Sequence, residues 1–154
     1  MVINIQFFGG RGASAGGGPA GSSAAPNNSS MAGPQTQSHY REQISRLSSP
    51  DYADGTYDLD TLTQVSYDSG YQVTFSQIGD NYSDAEYANK INEFLAVSSD
   101  GKTLAGKFES TPEVSFHCND RKTAERLARK YNQISIWDWK NFEEIKTGGT
   151  GERR

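Results

Sequence analysis

The chain predicts an α+β fold, and three features of its pattern predict it. Short segments alternate apolar and polar residues, two stretches repeat apolar residues at helical spacing, and turn residues separate them. Each element follows from its own residues. Tyr71, Val73 and Phe75 alternate with Gln72, Thr74 and Ser76, as in a strand with one buried face. Gly79-Asp80-Asn81 ends that strand, and Ser83-Asp84-Ala85-Glu86 has capping-box spacing. Tyr87, Ile91, Phe94 and Leu95 then make the apolar stripe of a helix ending near Val97. Asp100-Gly101 turns the chain into a strand over residues 102–108, and Thr111-Pro112 interrupts it, since proline has no N–H for a ladder.

Val114, Phe116 and Cys118 alternate with Ser115 and His117 in the next strand, which places His117 on the solvent side and Cys118 in the core. Asn119 or Asp120 caps a second helix whose stripe is Ala124, Leu127, Ala128 and Tyr131, and Asn132 is its left-handed terminator. Residues 134–139 read as a strong final strand, which Lys140-Asn141 turns into a hairpin returning through Ile145. Upstream, Tyr57, Leu59 and Thr61 give a weak strand pattern, and residues 62–67 give another. The main order is strand, helix, strand, strand, helix, strand. Two split βαβ units of this kind generally build a βαββαβ ferredoxin-like sheet, here with an added C-terminal hairpin.

The domain boundaries come from composition. Residues 1–8 form an apolar leader. Residues 9–50 form a Gly/Ala/Ser-rich arm expected to be disordered, with a short helix over 39–47 from Tyr40, Ile44 and Leu47. Between residues 9 and 38, 23 of 30 are Gly, Ala, Ser or Pro, and Met31 is the only large apolar one. Such a stretch buries too little to offset about 1–2 kcal/mol of backbone entropy per residue. The arm up to residue 49 is therefore expected to add almost nothing to the core. Residues 51–147 form the α+β domain, and the glycine-rich residues 148–154 a flexible tail.

Charge is divided along the chain. Residues 1–49 hold three arginines against Glu42, net +2, leaving twelve basic and eighteen acidic residues, net −6, in the rest. An acidic folded part argues against a nucleic-acid backbone as partner, because that requires a basic stripe. No run reaches the roughly 18–20 apolar residues of a membrane span. The leader lacks a basic n-region and is short for a signal sequence, so the expected location is the cytoplasm or a particle assembled there.

No catalytic or metal constellation stands out, and no cofactor is implied. Cys118 is the only cysteine, which excludes an internal disulfide. It follows His117 directly, and adjacent strand residues face opposite ways, so the two make no dyad. The glycines of residues 9–18 lack the Gly-Lys-Ser/Thr of a phosphate loop, and 148–151 have no helix after them. Asp58 with Asp60, Asp80 with Asp84, and Glu143 with Glu144 are paired carboxylates that loop solvation explains, with nothing to bring them together in a cleft. Trp137 and Trp139 share one face of the last strand while Ile134 and Ile136 share the other. That strand is either central and covered twice, or it exposes an aromatic contact surface.

Ile3-Asn4-Ile5-Gln6-Phe7-Phe8 resembles the leader that opens many structural proteins of tailed phages infecting Firmicutes, usually Leu-Asn-Leu-Gln-Phe-Phe. Gly9-Gly10-Arg11-Gly12-Ala13-Ser14 is similar to the segment that often follows it in phage minor head proteins. Residues 131–138 and 144–149 also look like the ends of small phage proteins for which no activity is known. The resemblance implies a non-enzymatic, virion-associated protein that binds a phage or host protein, in the host cytoplasm or the particle. The expected contact residues are Phe7, Phe8, Trp137 and Trp139. Alternatives are an accessory inhibitor that binds a host defence protein stoichiometrically, and a small enzyme whose site is hidden. Some phage head proteins with this leader carry ADP-ribosyltransferase domains, but the Glu-x-Glu ending of that group has no suitable counterpart here.

Overall fold

The computed structural model describes residues 36–75, 82–107 and 112–151. Among them the chain forms α1 (Gln37–Leu47), β1 (Gly55–Asp58), β2 (Tyr71–Thr74), α2 (Asp84–Leu95), β3 (Leu104–Lys107), β4 (Glu113–Cys118), α3 (Arg121–Lys130), β5 (Ser135–Asp138) and β6 (Glu143–Lys146). The six strands make one sheet in the order β1-β3-β4-β2-β5-β6, and every neighbouring pair is antiparallel. The α+β class expected from the sequence is what the chain adopts.

Local signals act where they stand. Ser83 Oγ accepts the Glu86 N–H at 3.1 Å while the Glu86 carboxylate accepts the Ser83 N–H at 3.1 Å, which closes the capping box and starts α2. Of the two cap candidates for α3, Asp120 is the cap, its carboxylate accepting the Thr123 N–H at 2.9 Å. Asn132, at φ 58°, ends the turn after α3 in the left-handed conformation.

Tyr57, Val73, Phe75, Val114, Phe116, Cys118 and Ile136 line one face of the sheet and join the apolar stripes of all three helices in a single core. Its centre is aromatic. Phe75 meets Tyr87 and Phe94 edge-on at 5.6 Å, and Phe94 stacks on Phe116 at 5.0 Å.

Three expectations need correction. First, α1 belongs to the folded body and not to the arm. Tyr40, Ile44 and Leu47 are buried in the core, and Gln43 Nε2 donates to the Leu59 carbonyl at 3.0 Å. The loop after α1 is held by buried Lys107, whose ammonium donates to the Ser49 and Tyr52 carbonyls at 2.7 Å each. A two-to-three-turn helix is marginal alone, and tertiary packing makes this one stable.

Second, residues 149–151 are docked. Gly151 N–H donates to the Asn132 carbonyl at 2.7 Å, and Thr150 exchanges hydrogen bonds with the Asn132 side chain. Gly149 lies so close to residues 132–133 that a Cβ would stand 2.4 Å from the Gln133 carbonyl oxygen.

Third, the other face of the sheet is not solvated. Residues 63–70 run from the outer edge of β1, where Asp58 N–H donates to Thr63 O and Val65 N–H to Thr56 O, to the start of β2. On this face Gln72, Thr56 and Ser115 are buried and linked in a row: Thr56 Oγ1 donates to Gln72 Oε1 at 3.4 Å and Gln72 Nε2 to Ser115 Oγ at 2.8 Å. Among the described residues, no helix is long and apolar enough to cross a membrane.

Candidate functional site

The strap, β4 and the β5–β6 hairpin bring Tyr67, His117, Trp137, Trp139 and Phe142 together on the face away from the helices. Strand alternation sends Ile136 to the helix side and Trp137 to the strap side, because successive side chains point opposite ways. The hairpin turn is organised by Asp138. Its carboxylate accepts the N–H of Lys140 at 3.0 Å, the N–H of Asn141 at 3.2 Å and the Asn141 amide at 2.9 Å. Trp139 N–H donates to Gly70 O, which ties the turn to the strap.

Trp137 and Trp139 are 3% and 2% exposed. Of the two arrangements open to this strand, it takes the one covered twice, and the tryptophans themselves offer no exposed patch. Among the described residues Phe142 is the exposed large apolar one, at 54%. Its ring stacks on Trp137 with centroids 6.0 Å apart and meets Trp139 at 6.5 Å, and its backbone is left-handed at φ 53°. Both indole N–H groups are buried with no acceptor. A donor left in that state costs about 1–3 kcal/mol, so the protein's own groups leave the cluster not fully satisfied.

His117 corrects another expectation: it is buried, because the strap closes over it. Tyr67 stacks on it with centroids 3.8 Å apart and meets Trp139 edge-on at 5.4 Å. One ring nitrogen, Nε2, lies 2.6 Å from the Ser69 carbonyl, which can only accept, so Nε2 carries the proton. In the neutral ring Nδ1 then accepts from Ser99 Oγ, also at 2.6 Å. Burial pushes the imidazole pKa down, opposed by the Ser69 carbonyl and Asp100. The Tyr67 hydroxyl donates to Asp100 at 2.7 Å, and burial first, then that bond, raises its pKa strongly. Gly70, at φ +90°, packs so close that a Cβ would sit 2.4 Å from the imidazole.

Nothing in this cluster pairs a nucleophile with an open cleft. Cys118 is buried on the opposite face from His117, and burial raises its thiol pKa, so the two make no dyad. Among the described residues no group of three His, Cys, Asp or Glu side chains could hold a metal ion. Asp58 spends one carboxylate oxygen on the N–H groups of Asp60 and Thr61, in its own turn. Glu144 accepts from Ser135 Oγ at 2.6 Å, on the face opposite Ile145. Asp80, Phe7, Phe8 and the glycines of residues 9–18 lie outside the described residues.

A concavity elsewhere escaped the sequence reading. Glu86, Asn89, Lys90, Glu93, Lys130 and Tyr131 line an open cleft of about 460 Å³ between α2 and α3. The Lys90 ammonium sits 4.9 Å from the Tyr131 ring centre and 5.1 Å from that of Tyr82. Burial resists ionisation of Glu93, but hydrogen bonds from Lys130 and Tyr131 prevail and hold its carboxyl below the ordinary value. The signal available in sequence was Lys90 and Glu93 standing on one side of a helix whose other side carries the apolar stripe. No protein-family model, curated protein or solved structure matches this chain.

Proposed function

We propose that this chain is a non-enzymatic protein-binding module, associated with the particles of tailed phages, that docks on a phage or host protein through the tip of its β5–β6 hairpin. The observation that carries the docking part is Phe142. It stands half exposed on a floor of buried tryptophans, in a turn held by Asp138. A rigid aromatic anchor of that kind supplies contact area at little entropic cost. Trp137 and Trp139 support the anchor from below. The phage association rests on the leader that ends in Phe7-Phe8, which acts as the packaging element. The core strand order β5-β2-β4-β3, with α2 and α3 as the two crossovers, supports reading β2 through β5 as a ferredoxin-like unit that β1 and β6 extend at its two edges.

Mass spectrometry of purified particles tests this reading. The protein is expected in the particle, lost from it in the Phe7→Ser, Phe8→Ser double variant, and reduced in Phe142→Ser, with both variants soluble. Normal incorporation of the double variant removes the packaging role, and normal incorporation of Phe142→Ser removes the hairpin as docking element. The net −6 of residues 50–154 favours a second reading, stoichiometric binding of a basic host defence protein. That reading expects a salt-sensitive one-to-one complex and no protein in the particle.

A further inference from the structure

The sheet treats its two edges differently. At one edge the outward groups of β1 are taken by the chain itself, through the hydrogen bonds to Thr63 and Val65 and the bridge between Tyr57 and Gln64. At the other edge β6 pairs with β5 alone, and no described residue covers its outer side. An unpaired strand presents a row of backbone donors and acceptors ready to take another strand.

The register says which groups are presented. Thr147 N–H donates to Ile134 O at 2.8 Å, so these two form a hydrogen-bonded pair of the antiparallel ladder. Such pairs alternate, so Ile145 and Glu143 also turn their backbone groups toward β5, opposite Ile136 and Asp138. Glu144 and Lys146 therefore turn theirs outward. Their side chains share the Trp137 face, while Ile145 shares the helix side with Ile136.

We propose that β6 pairs antiparallel with β6 of a second copy of this chain, about a twofold axis at Ile145, to make one continuous twelve-stranded sheet. Only outward-facing residues can exchange ladder bonds, which leaves few registers. Centring on Glu144 sets two carboxylates opposite each other, and centring on Lys146 sets two ammonium groups opposite each other. Centring on Ile145 sets Glu144 against the partner's Lys146, twice by symmetry, and Ile145 against the partner's Ile145. Opposite charges across a ladder stabilise it and like charges destabilise it. Edge charges commonly deter pairing, but here two of opposite sign stand two residues apart on one face, an arrangement that is self-complementary under a twofold. Within one chain the same two groups already attract, with Lys146 Nζ 3.5 Å from Glu144 Oε1.

Two four-residue strands bury less than the roughly 1,600 Å² of a standard interface, so the dimer is weak and concentration-dependent. Sedimentation velocity on the full chain, from about 1 μM to about 500 μM, reads it directly. The mass is expected to rise from 16.9 kDa toward twice that value across the series. Lys146→Pro removes one outward N–H and no bond to β5, and is expected to hold the protein monomeric throughout with its melting unchanged. Glu144→Lys is expected to do the same by opposing like charges, and the double change Glu144→Lys, Lys146→Glu to restore the dimer. A full chain that stays monomeric, a dimer that survives Lys146→Pro, or a double variant that stays monomeric overturns the proposal. None of these changes touches Phe142, so loss of self-pairing and loss of partner docking are read separately.

Discussion

Ile136 and Trp137 are neighbours in sequence that point to opposite sides of β5, and both are buried. Trp137→Ala is expected to cost about 3–5 kcal/mol and Ile136→Ala about 2–5 kcal/mol, compared as urea midpoints. Phe142→Ser should cost about 1 kcal/mol or less, since about half of that residue already meets water. A loss for Trp137→Ala near that of Phe142→Ser would mean that the strap does not close over the tryptophans in solution. His117 carries a pH dependence of definite sign. Its folded pKa is depressed below the ordinary value of about 6.5, so the unfolded chain takes the proton first as pH falls. Its contribution is complete above pH ~6.5 and is lost as pH falls through the folded pKa, at up to about 1.4 kcal/mol per pH unit. His117→Gln should flatten the stability profile just below pH ~6.5, above the range where the Glu93 carboxyl titrates. Denaturant titrations at several pH values read that slope, and an unchanged slope in the variant would assign it to another group.

At the scale of elements, α1 is the test of where the domain begins. Removing residues 1–35 should leave the melting midpoint unchanged, whereas removing residues 1–47 also takes Tyr40, Ile44 and Leu47 out of the core. Each of those side chains contributes about 1.5–3 kcal/mol by burial, so the longer truncation should melt far lower or fail to fold. Equal midpoints for the two truncations would show α1 to be an ornament. The start of α2 offers a finer measurement. Ser83→Ala removes the acceptor for the Glu86 N–H and should cost about 0.5–2 kcal/mol by thermal melting. Both elements were visible in sequence through their periodicity, and the capping box was visible through its spacing. What could not be read for α1 was its docking, because its contacts, Leu59 and Thr103, lie 16 and 63 residues away.

Across the molecule strands β1 to β5 are buried on both faces, with helices on one side and a polar, tyrosine-bearing strap on the other, whereas β6 is half exposed. The alternation of β2 and β4, with Gln72, Ser115 and His117 at the polar positions, suggested one wet face. Those polar groups are instead satisfied inside the protein, by one another and by the strap. Alternation reports chemical type along a strand and carries no record of what a distant loop later covers. The capping box of α2, the left-handed Asn132 and the strand character of β2 and β4 were legible in the sequence itself, because each depends on residues within four positions of one another, whereas residues 62–67, read as a strand, form none beyond the bridge at Gln64. The sheet order, the burial of Trp137, Trp139 and His117, the docking of α1 and of residues 149–151, and the place of β6 at the sheet edge were decided only by the tertiary structure. Each of these turns on which remote segment excludes water from a given surface, and no local pattern encodes that.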